Sequence, residues 1–185
     1  MELTQERAEE RIEALEKRLE TLENNQPEDK LSMVVFSGDL DKMLASFIIA
    51  TGAAAMYDRV VMFFTFWGTS VLRDRTRQVK KEDLMAKLFD KMMPRGASRL
   101  NLSKMHMAGM GTGMMKGLMK KKNVMSLEDL MKTAADSGVE IVICEMSMDL
   151  MGFKSEEMID YPNITLGGAA KYLAEGGTSK VSLFI

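Results

Sequence analysis

The sequence lacks the features that are typical of extracellular and membrane proteins: paired cysteines, a long apolar span and the pattern of a signal peptide. A single cysteine, Cys144, cannot form a disulfide within the 185-residue chain, so nothing argues for an oxidising compartment. No apolar run approaches the roughly 20 residues that a membrane-spanning helix needs. The N-terminus is acidic and helical in pattern, unlike a signal peptide. These absences predict a cytoplasmic protein without a transmembrane segment.

A surplus of positive charge is also missing. The formal net charge is -2, and the dense basic run is confined to residues 116–122, which is more typical of a solvated helix end than of a binding patch. Binding to nucleic acid requires a basic face that neutralises phosphates. The composition therefore predicts no nucleic-acid partner.

The first 25 residues are charged and contain neither glycine nor proline. Their apolar residues recur at alternating spacings of four and three: Ala8, Ile12, Leu15, Leu19 and Leu22. This pattern is the a/d seam of a coiled coil. Because so short a helix is marginal in isolation, we expect self-association or docking on the rest of the protein. The predicted domains are an N-terminal heptad helix for oligomerisation at 1–27 and an α/β domain at 31–185.

Short apolar strands alternate with helices in the remaining sequence, after a polar link at 28–30. Strands are predicted at 31–37, 59–66, 139–144, 163–166 and 180–185. Helices are predicted at about 40–56, 82–92, 127–135 and 168–174, with a short helix after Cys144, and Asp39 and Ser126 precede two of them as caps. Continuous apolar strands separated by helices indicate an α/β fold whose parallel sheet is covered on both faces.

Cys144 directly follows the apolar run at 139–143. In an open α/β sheet the carboxyl ends of the strands face the ligand crevice, and the free N–H groups of a following helix favour a thiolate. From position alone, a small, buried and inert cysteine is an equally good interpretation.

Several uncommon strings occur in order along the chain: Ser37 to Lys42, Phe66-Trp67-Gly68, 102–112, 144–152 and Gly167-Gly168-Ala169. With them, residues 31–185 resemble the DsrE/DsrF/DsrH-like family of sulfur-relay proteins, in a branch sometimes described as peroxiredoxin-family. The Cys-x-Met-Ser-Met string at Cys144 is the most specific. The resemblance implies a flavodoxin-like three-layer sandwich with a mainly parallel sheet, a homo-oligomer, and a cysteine that carries sulfane sulfur as a persulfide.

The candidate site is centred on Cys144 as the catalytic residue. The backbone N–H groups predicted to stabilise the persulfide are those of Met146, Ser147 and Met148. The Ser147 side chain either donates a hydrogen bond to sulfur or merely caps the helix. The residues predicted to line the crevice are Gly38, Asp39, Lys42 and Trp67. For the last three, a helix cap, a solvated lysine and a core tryptophan are the alternatives.

No second cysteine is present to resolve a mixed disulfide, so sulfur would have to leave to a partner protein. The resemblance suggests TusA-like or rhodanese-like proteins as donor or acceptor, with no cofactor and no metal. The alternative is a non-catalytic module that binds a small ligand or a protein and has an inert Cys144. A one-cysteine peroxidase is disfavoured because the Thr-x-x-Cys arrangement of peroxiredoxins is absent.

A methionine-rich segment at 105–119 contains the single histidine, His106. Methionine adapts to irregular contacts, which favours a flexible apolar lid or an oligomer surface over a copper(I) site. Its glycines fit neither the Rossmann nor the Walker spacing. His106 is interpreted as structural or exposed rather than as an acid beside the sulfur.

Overall fold

The structure, a computed structural model, describes residues 2–24, 26–81 and 83–185. At its centre lies a five-stranded sheet with the order β4-β3-β2-β1-β5, in which every pairing is parallel. The strands are β1 (Glu28–Val35), β2 (Arg59–Phe64), β3 (Glu140–Cys144), β4 (Ile164–Gly167) and β5 (Ser179–Phe184). The predicted α/β class with a parallel sheet is confirmed.

Seven α-helices occur in the described ranges. They are α1 (Glu2–Asn24), α2 (Leu40–Ala53), α3 (Leu84–Met92), α4 (Met110–Lys121), α5 (Leu127–Asp136), α6 (Glu145–Met151) and α7 (Ala169–Gly177). Successive strands from β1 to β4 advance in one direction across the sheet, and the chain then returns to place β5 beside β1. Because parallel crossovers are right-handed, this reversal puts α7 on the face opposite to α2 and α5.

The strands present apolar side chains to both helical layers. Met33 and Met62 belong to the larger core, which includes α2 and α5, whereas Val34 and Phe63 lie on the α7 face. Alternate strand residues point to opposite faces, so a strand covered on both sides needs a continuous apolar run. Burial of each large apolar side chain contributes about 1.5–3 kcal/mol to the free energy of unfolding. The sheet therefore explains the unbroken apolar runs of the sequence.

The α7 layer is much thinner than the opposite layer. None of the residues of α7 is fully buried, and Leu173 is 69% exposed. Phe184 on the edge strand β5 is 71% exposed. Apolar surface therefore remains open on the face of the sheet that carries Cys144.

Helix α1 exposes its predicted seam to solvent. The side chains of Ile12, Leu15, Leu19 and Leu22 are between half and two thirds exposed. The predicted N-terminal helix is confirmed, and its coiled-coil pairing stays a prediction. Of the helices in the described ranges, none has the length and apolarity needed to cross a membrane.

The predicted elements differ from the observed ones at the start of β1 and at α4. The predicted polar link at 28–30 is wrong, because these residues begin β1 and Lys30 is 2% exposed with its ammonium paired to Glu28 and Glu175. Helix α4 was not predicted, since its four-residue repeats of glycine and methionine include three glycines, which disfavour helix. Asn25 and Glu82, at predicted helix ends, lie outside the described residues.

Two predicted helix caps have different outcomes. The hydroxyl of Ser126 caps α5 by accepting a hydrogen bond of 3.1 Å from the Asp129 N–H. Asp39 occupies the N-cap position of α2, but its carboxylate makes no capping hydrogen bond. It accepts instead from the Ser37 hydroxyl at 2.8 Å and pairs with the Lys42 ammonium at 3.0 Å. The prediction gave the N-cap position of Asp39 correctly, but the expected hydrogen bond from the helix to its carboxylate is not formed.

Candidate functional site

Cys144 is the last residue of β3 and the N-cap of α6. Its side chain is 2% exposed and packs in an apolar cluster on the α7 face of the sheet. The other buried members are Val34, Val61, Phe63 and Val142. Two half-buried rings, those of Phe36 and Tyr172, pack against this cluster. The sulfur therefore lies at the carboxyl edge of the sheet, in a cluster against which two aromatic side chains pack.

Two hydroxyl groups from neighbouring elements lie beside the cysteine. Ser147, in the first turn of α6, has no exposed surface, and its Oγ lies 2.9 Å from Oγ1 of Thr65. Thr65 follows the end of β2. The Ser147 Oγ also accepts a hydrogen bond of 3.0 Å from the N–H of Phe66, whose φ of 45° is unusual for a bulky residue. These contacts tie the start of α6 to the end of β2.

The surroundings of Cys144 act on its ionisation in opposite directions. Burial raises the pKa of the thiol, because a thiolate loses its hydration in an apolar cluster. Hydrogen bonds from the Ser147 hydroxyl and N–H, the Thr65 hydroxyl and the Met146 N–H lower it. The donors prevail, and the pKa of Cys144 is lower than that of an ordinary cysteine. The site thus stabilises the thiolate through hydrogen-bond donors that carry no net charge.

The two hydroxyl groups have two protons to distribute between their shared contact and the sulfur. If Thr65 donates to the Ser147 oxygen, Ser147 is free to donate its own proton to a thiolate. In that arrangement the Ser147 oxygen accepts from both Thr65 and the Phe66 N–H. In the reverse arrangement Ser147 donates to Thr65 and the Thr65 hydroxyl donates to the thiolate, so one hydroxyl at a time serves the sulfur, and ionisation of the thiol completes the network in either case.

The predicted crevice residues lie together around a separate cavity of about 510 Å³, which we call the Trp67 cavity. Its lining includes Gly38, Asp39, Lys42 and Trp67, together with Phe36, Ser37, Ser70, Phe89, Met92, Met93, Pro94 and Asn101. Trp67 is 46% exposed. A Cβ at position 38 would lie 2.8 Å from the Trp67 carbonyl oxygen, so glycine allows the ends of β1 and β2 to approach closely.

The structure separates the predicted site into two neighbouring parts. Cys144 is grouped with the N–H groups of Met146 and Ser147, which lower its pKa, and Met148 is the next residue along α6. Cys144 does not line the Trp67 cavity. Phe36 belongs to both parts, since it lines the cavity and packs against the cysteine cluster. Phe36 is therefore common to both parts.

Thr65 was missed by the sequence reasoning, although a signal for it existed. The carboxyl ends of neighbouring parallel strands meet at one edge of the sheet, and β2 pairs directly with β3. The prediction ended this strand at residue 66 and therefore selected Trp67, whereas β2 ends at Phe64, and the same rule applied to that end selects Thr65. His106, in contrast, lies in the methionine-rich segment and contacts Thr112 at 3.4 Å between Nδ1 and Oγ1.

A buried ionic cluster follows the other end of α6. The Glu157 carboxylate has no exposed surface and pairs with Arg73, at 2.7 Å, and with Lys81. Asp90 pairs with Arg73 and with Arg95. The cluster comprises Arg73, Lys81, Asp90, Arg95 and Glu157. Burial raises the pKa of Glu157, but the hydrogen bonds from Lys81 and Arg73 lower it overall.

Arg73 completes this cluster in an unusual way. Its side chain is fully buried, and its Nε and Nη1 have no hydrogen-bond partner among the residues that the structure describes. The guanidinium carbon lies 4.3 Å from the centre of the Phe153 ring. A cation over an aromatic face is attracted by the ring quadrupole, which compensates in part for the missing acceptors.

Known proteins resemble this chain over most of its length. The sequence model of the DsrE/DsrF/DrsH-like family matches residues 27–184. An uncharacterized protein of Bacillus subtilis (strain 168), YrkE, is 46% identical over 156 residues, covering 84% of this chain and 96% of the relative. The sulfur carrier protein DsrE2 of Allochromatium vinosum is 34% identical over 163 residues, covering 84% of this chain and 98% of that protein.

Among solved structures, the ychN protein from E. coli aligns with a TM-score of 0.47 at 6% sequence identity. The alignment covers 85% of this chain and 99% of that one. The family match begins after α1 ends, so it comprises the sheet with its flanking helices and leaves the N-terminal helix outside.

Proposed function

Because the chain belongs to the DsrE/DsrF/DrsH-like family, we propose that it acts in sulfur relay and that Cys144 carries sulfane sulfur as a persulfide. A relative that is 34% identical is named a sulfur carrier protein, which supports this role. We propose further that a TusA-like or rhodanese-like protein supplies or accepts the sulfur, in the cytoplasm.

The observation that carries the proposal is the set of donors around Cys144. The Ser147 and Thr65 hydroxyls and the N–H groups of Met146 and Ser147 lower the pKa of a thiol that burial alone would raise. The thiolate is the nucleophile in sulfur exchange, and the same donors stabilise the negative charge of a persulfide. A structural cysteine in an apolar cluster needs none of these groups.

Sulfur transfer at this site requires no redox partner. The Cys144 thiolate attacks the outer sulfur of a donor persulfide, a new S–S bond forms, and the donor leaves as a thiolate. In the second half of the transfer, which delivers the sulfur, an acceptor thiolate attacks the outer sulfur on Cys144, and Cys144 leaves as the thiolate. One S–S bond forms and one breaks in each half, so no electrons are gained or lost overall.

The sulfur must become accessible before this exchange. Cys144 is 2% exposed, and the half-buried rings of Phe36 and Tyr172 pack against its cluster. Tyr172 lies on α7, the thin layer without fully buried residues. We propose that displacement of these two rings opens the site, transiently in the free protein, where a small persulfide can enter, and more often when the partner protein docks.

The burial of Cys144 is also the specific observation that favours the alternative function. A non-catalytic module would leave the cysteine inert and bind its ligand elsewhere, for example in the Trp67 cavity, which Cys144 does not line. The two functions differ in whether the cysteine takes up sulfur, so a chemical experiment separates them.

The test is intact-mass measurement after incubation with a low-molecular-weight persulfide. The wild-type chain should gain the mass of one sulfur atom at Cys144, and a reducing agent should remove it. Cys144→Ser should gain none, and because the chain has a single cysteine this control is complete. An unmodified wild-type protein, with its thiol intact after denaturation, would favour the inert binding module.

We also propose that the protein is a homo-oligomer that pairs through α1. The exposed seam of Ile12, Leu15, Leu19 and Leu22 has the spacing of a coiled coil. Sedimentation at micromolar concentration should show an oligomer, and deletion of residues 1–27 should reduce its order while circular dichroism retains the α/β signal. A full-length protein that sediments as a monomer would contradict the proposal.

A further inference from the structure

A second cavity, which we call the Arg99 cavity, adjoins the Trp67 cavity and differs from it in charge. It measures about 420 Å³, and both cavities are lined by Met92, Met93, Pro94 and Asn101. The other residues that line it are Arg75, Gln78, Asp90, Lys91, Arg95 and Arg99. The two cavities therefore meet along the end of α3 and the residues that follow it.

The charges of the Arg99 cavity are strongly unbalanced. Four cationic side chains line it, and Asp90 is the single carboxylate among its described lining residues. Asp90 is already paired with Arg73 and Arg95. In the described part of the chain, Arg75, Lys91 and Arg99 have no carboxylate within 4.0 Å, and the Arg75 Nη1 bonds only the Ser98 hydroxyl, at 3.0 Å.

The buried ionic cluster behind the cavity adds to the imbalance. Asp90 and Arg95 line the cavity and are already counted, and the remaining members, Arg73, Lys81 and Glu157, leave one further positive charge in excess. Charges in a low-dielectric interior are screened less than charges in water, and their field extends into the adjoining cavity. An anion in the cavity would balance both the lining and the excess behind it.

We propose that the Arg99 cavity binds a doubly charged oxoanion of the phosphate or sulfate type. Arginine presents a planar fork of N–H donors that matches such oxygens in pairs. Arg75 and Arg99 are exposed and lack carboxylate partners in the described ranges, so their donors are available to a ligand. The site is independent of Cys144, and its occupant is either a free oxoanion or an ester whose remaining part enters the Trp67 cavity.

The experiment is calorimetric titration of the full-length protein with inorganic phosphate at constant ionic strength. We expect saturable binding, weakened by about tenfold or more in the double variant Arg75→Gln, Arg99→Gln, a factor that corresponds to about 1.4 kcal/mol. The matched control is Lys87→Gln, Lys104→Gln, which removes the same charge at exposed positions that do not line the cavity. The control should retain the wild-type affinity.

Phenyl phosphate distinguishes the two sources of the oxoanion. Tighter binding than inorganic phosphate, lost in Trp67→Ala, would assign the site to a phosphate ester, and equal binding would assign it to a free oxoanion. Cys144→Ser should bind phosphate as the wild type does, so failure of the sulfur-carrier proposal leaves this result unchanged. The absence of saturable binding, or equal weakening in the control variant, would overturn the proposal.

Discussion

The two ends of α6 stabilise negative charge in different ways. At its start, the sulfur of Cys144 is surrounded by hydroxyl and N–H groups that carry no net charge. Beyond its end, the carboxylate of Glu157 is paired with the full charges of Lys81 and Arg73. Both groups are buried, and both have a pKa below the ordinary value. The difference lies in whether the charge is permanent.

A full cation next to a buried acid fixes its charge, because removing either partner leaves an uncompensated ion. Hydroxyl and N–H donors instead lower the pKa of a group while allowing it to exist as the neutral acid. A cysteine that alternates between thiolate, persulfide and thiol needs the second arrangement. The Glu157 cluster has the first, which suits a structural connection between the segment after α6 and α3.

The largest effect is expected from Glu157→Gln. This change leaves the buried Arg73 and Lys81 without their shared carboxylate and should lower the free energy of unfolding by about 3–5 kcal/mol. Urea denaturation would measure it. The matched control is Asp160→Asn, since Asp160 is 88% exposed and pairs with Arg77, so its loss should cost at most about 1 kcal/mol.

The same variant tests the pH dependence of folding. The folded pKa of Glu157 lies below its ordinary value of 4.5, so the folded state gains stability from the ionised carboxylate at pH values above 4.5. That stability is lost as the pH falls below 4.5 and through the folded pKa. Wild-type stability should therefore decline over this range more steeply than that of Glu157→Gln. Parallel profiles would contradict a charged Glu157.

The contrast between the two clusters also shows what a sequence reveals and what it conceals. Cys144 was located because an apolar run stops there and strand ends share an edge, which are local signals. The Lys81–Glu157 pair joins residues 76 positions apart, and nothing near either residue indicates its partner. Helix α4 was missed for a local reason, because its glycines outweigh the methionine pattern.

The strand order of the sheet was equally inaccessible. Apolar runs show that a strand is buried on both faces, but they contain no information about which strand is its neighbour. As a result, the division of Cys144 and Trp67 between a buried cluster and a separate cavity could not be predicted. Phe36, which both lines the cavity and packs against the cluster, was not singled out by any local signal either.

A smaller effect on stability, but a specific one on reactivity, is expected from Ser147→Ala. The variant removes a donor to the sulfur and leaves the Phe66 N–H without its acceptor, which should cost about 1–3 kcal/mol of folding free energy. Burial of the cysteine remains, so the pKa of Cys144 should rise. Alkylation rates measured against pH should then reach half-maximum at a higher pH than in the wild type.

Two further variants show how that measurement responds to changes other than loss of the donor. Ser46→Ala is the matched control, because Ser46 is also fully buried and its hydroxyl donates at 2.9 Å to the Lys42 carbonyl, away from the sulfur. It should leave the half-maximal pH unchanged. Phe36→Ala should raise the alkylation rate at every pH and lower the half-maximal pH, opposite to Ser147→Ala, because loss of a ring that packs against the cysteine cluster reduces the burial that raises the pKa of the thiol. A Ser147→Ala profile that coincides with the wild type would mean that the hydroxyl does not act on the sulfur, and the contrast between the two ends of α6 would then reduce to burial alone.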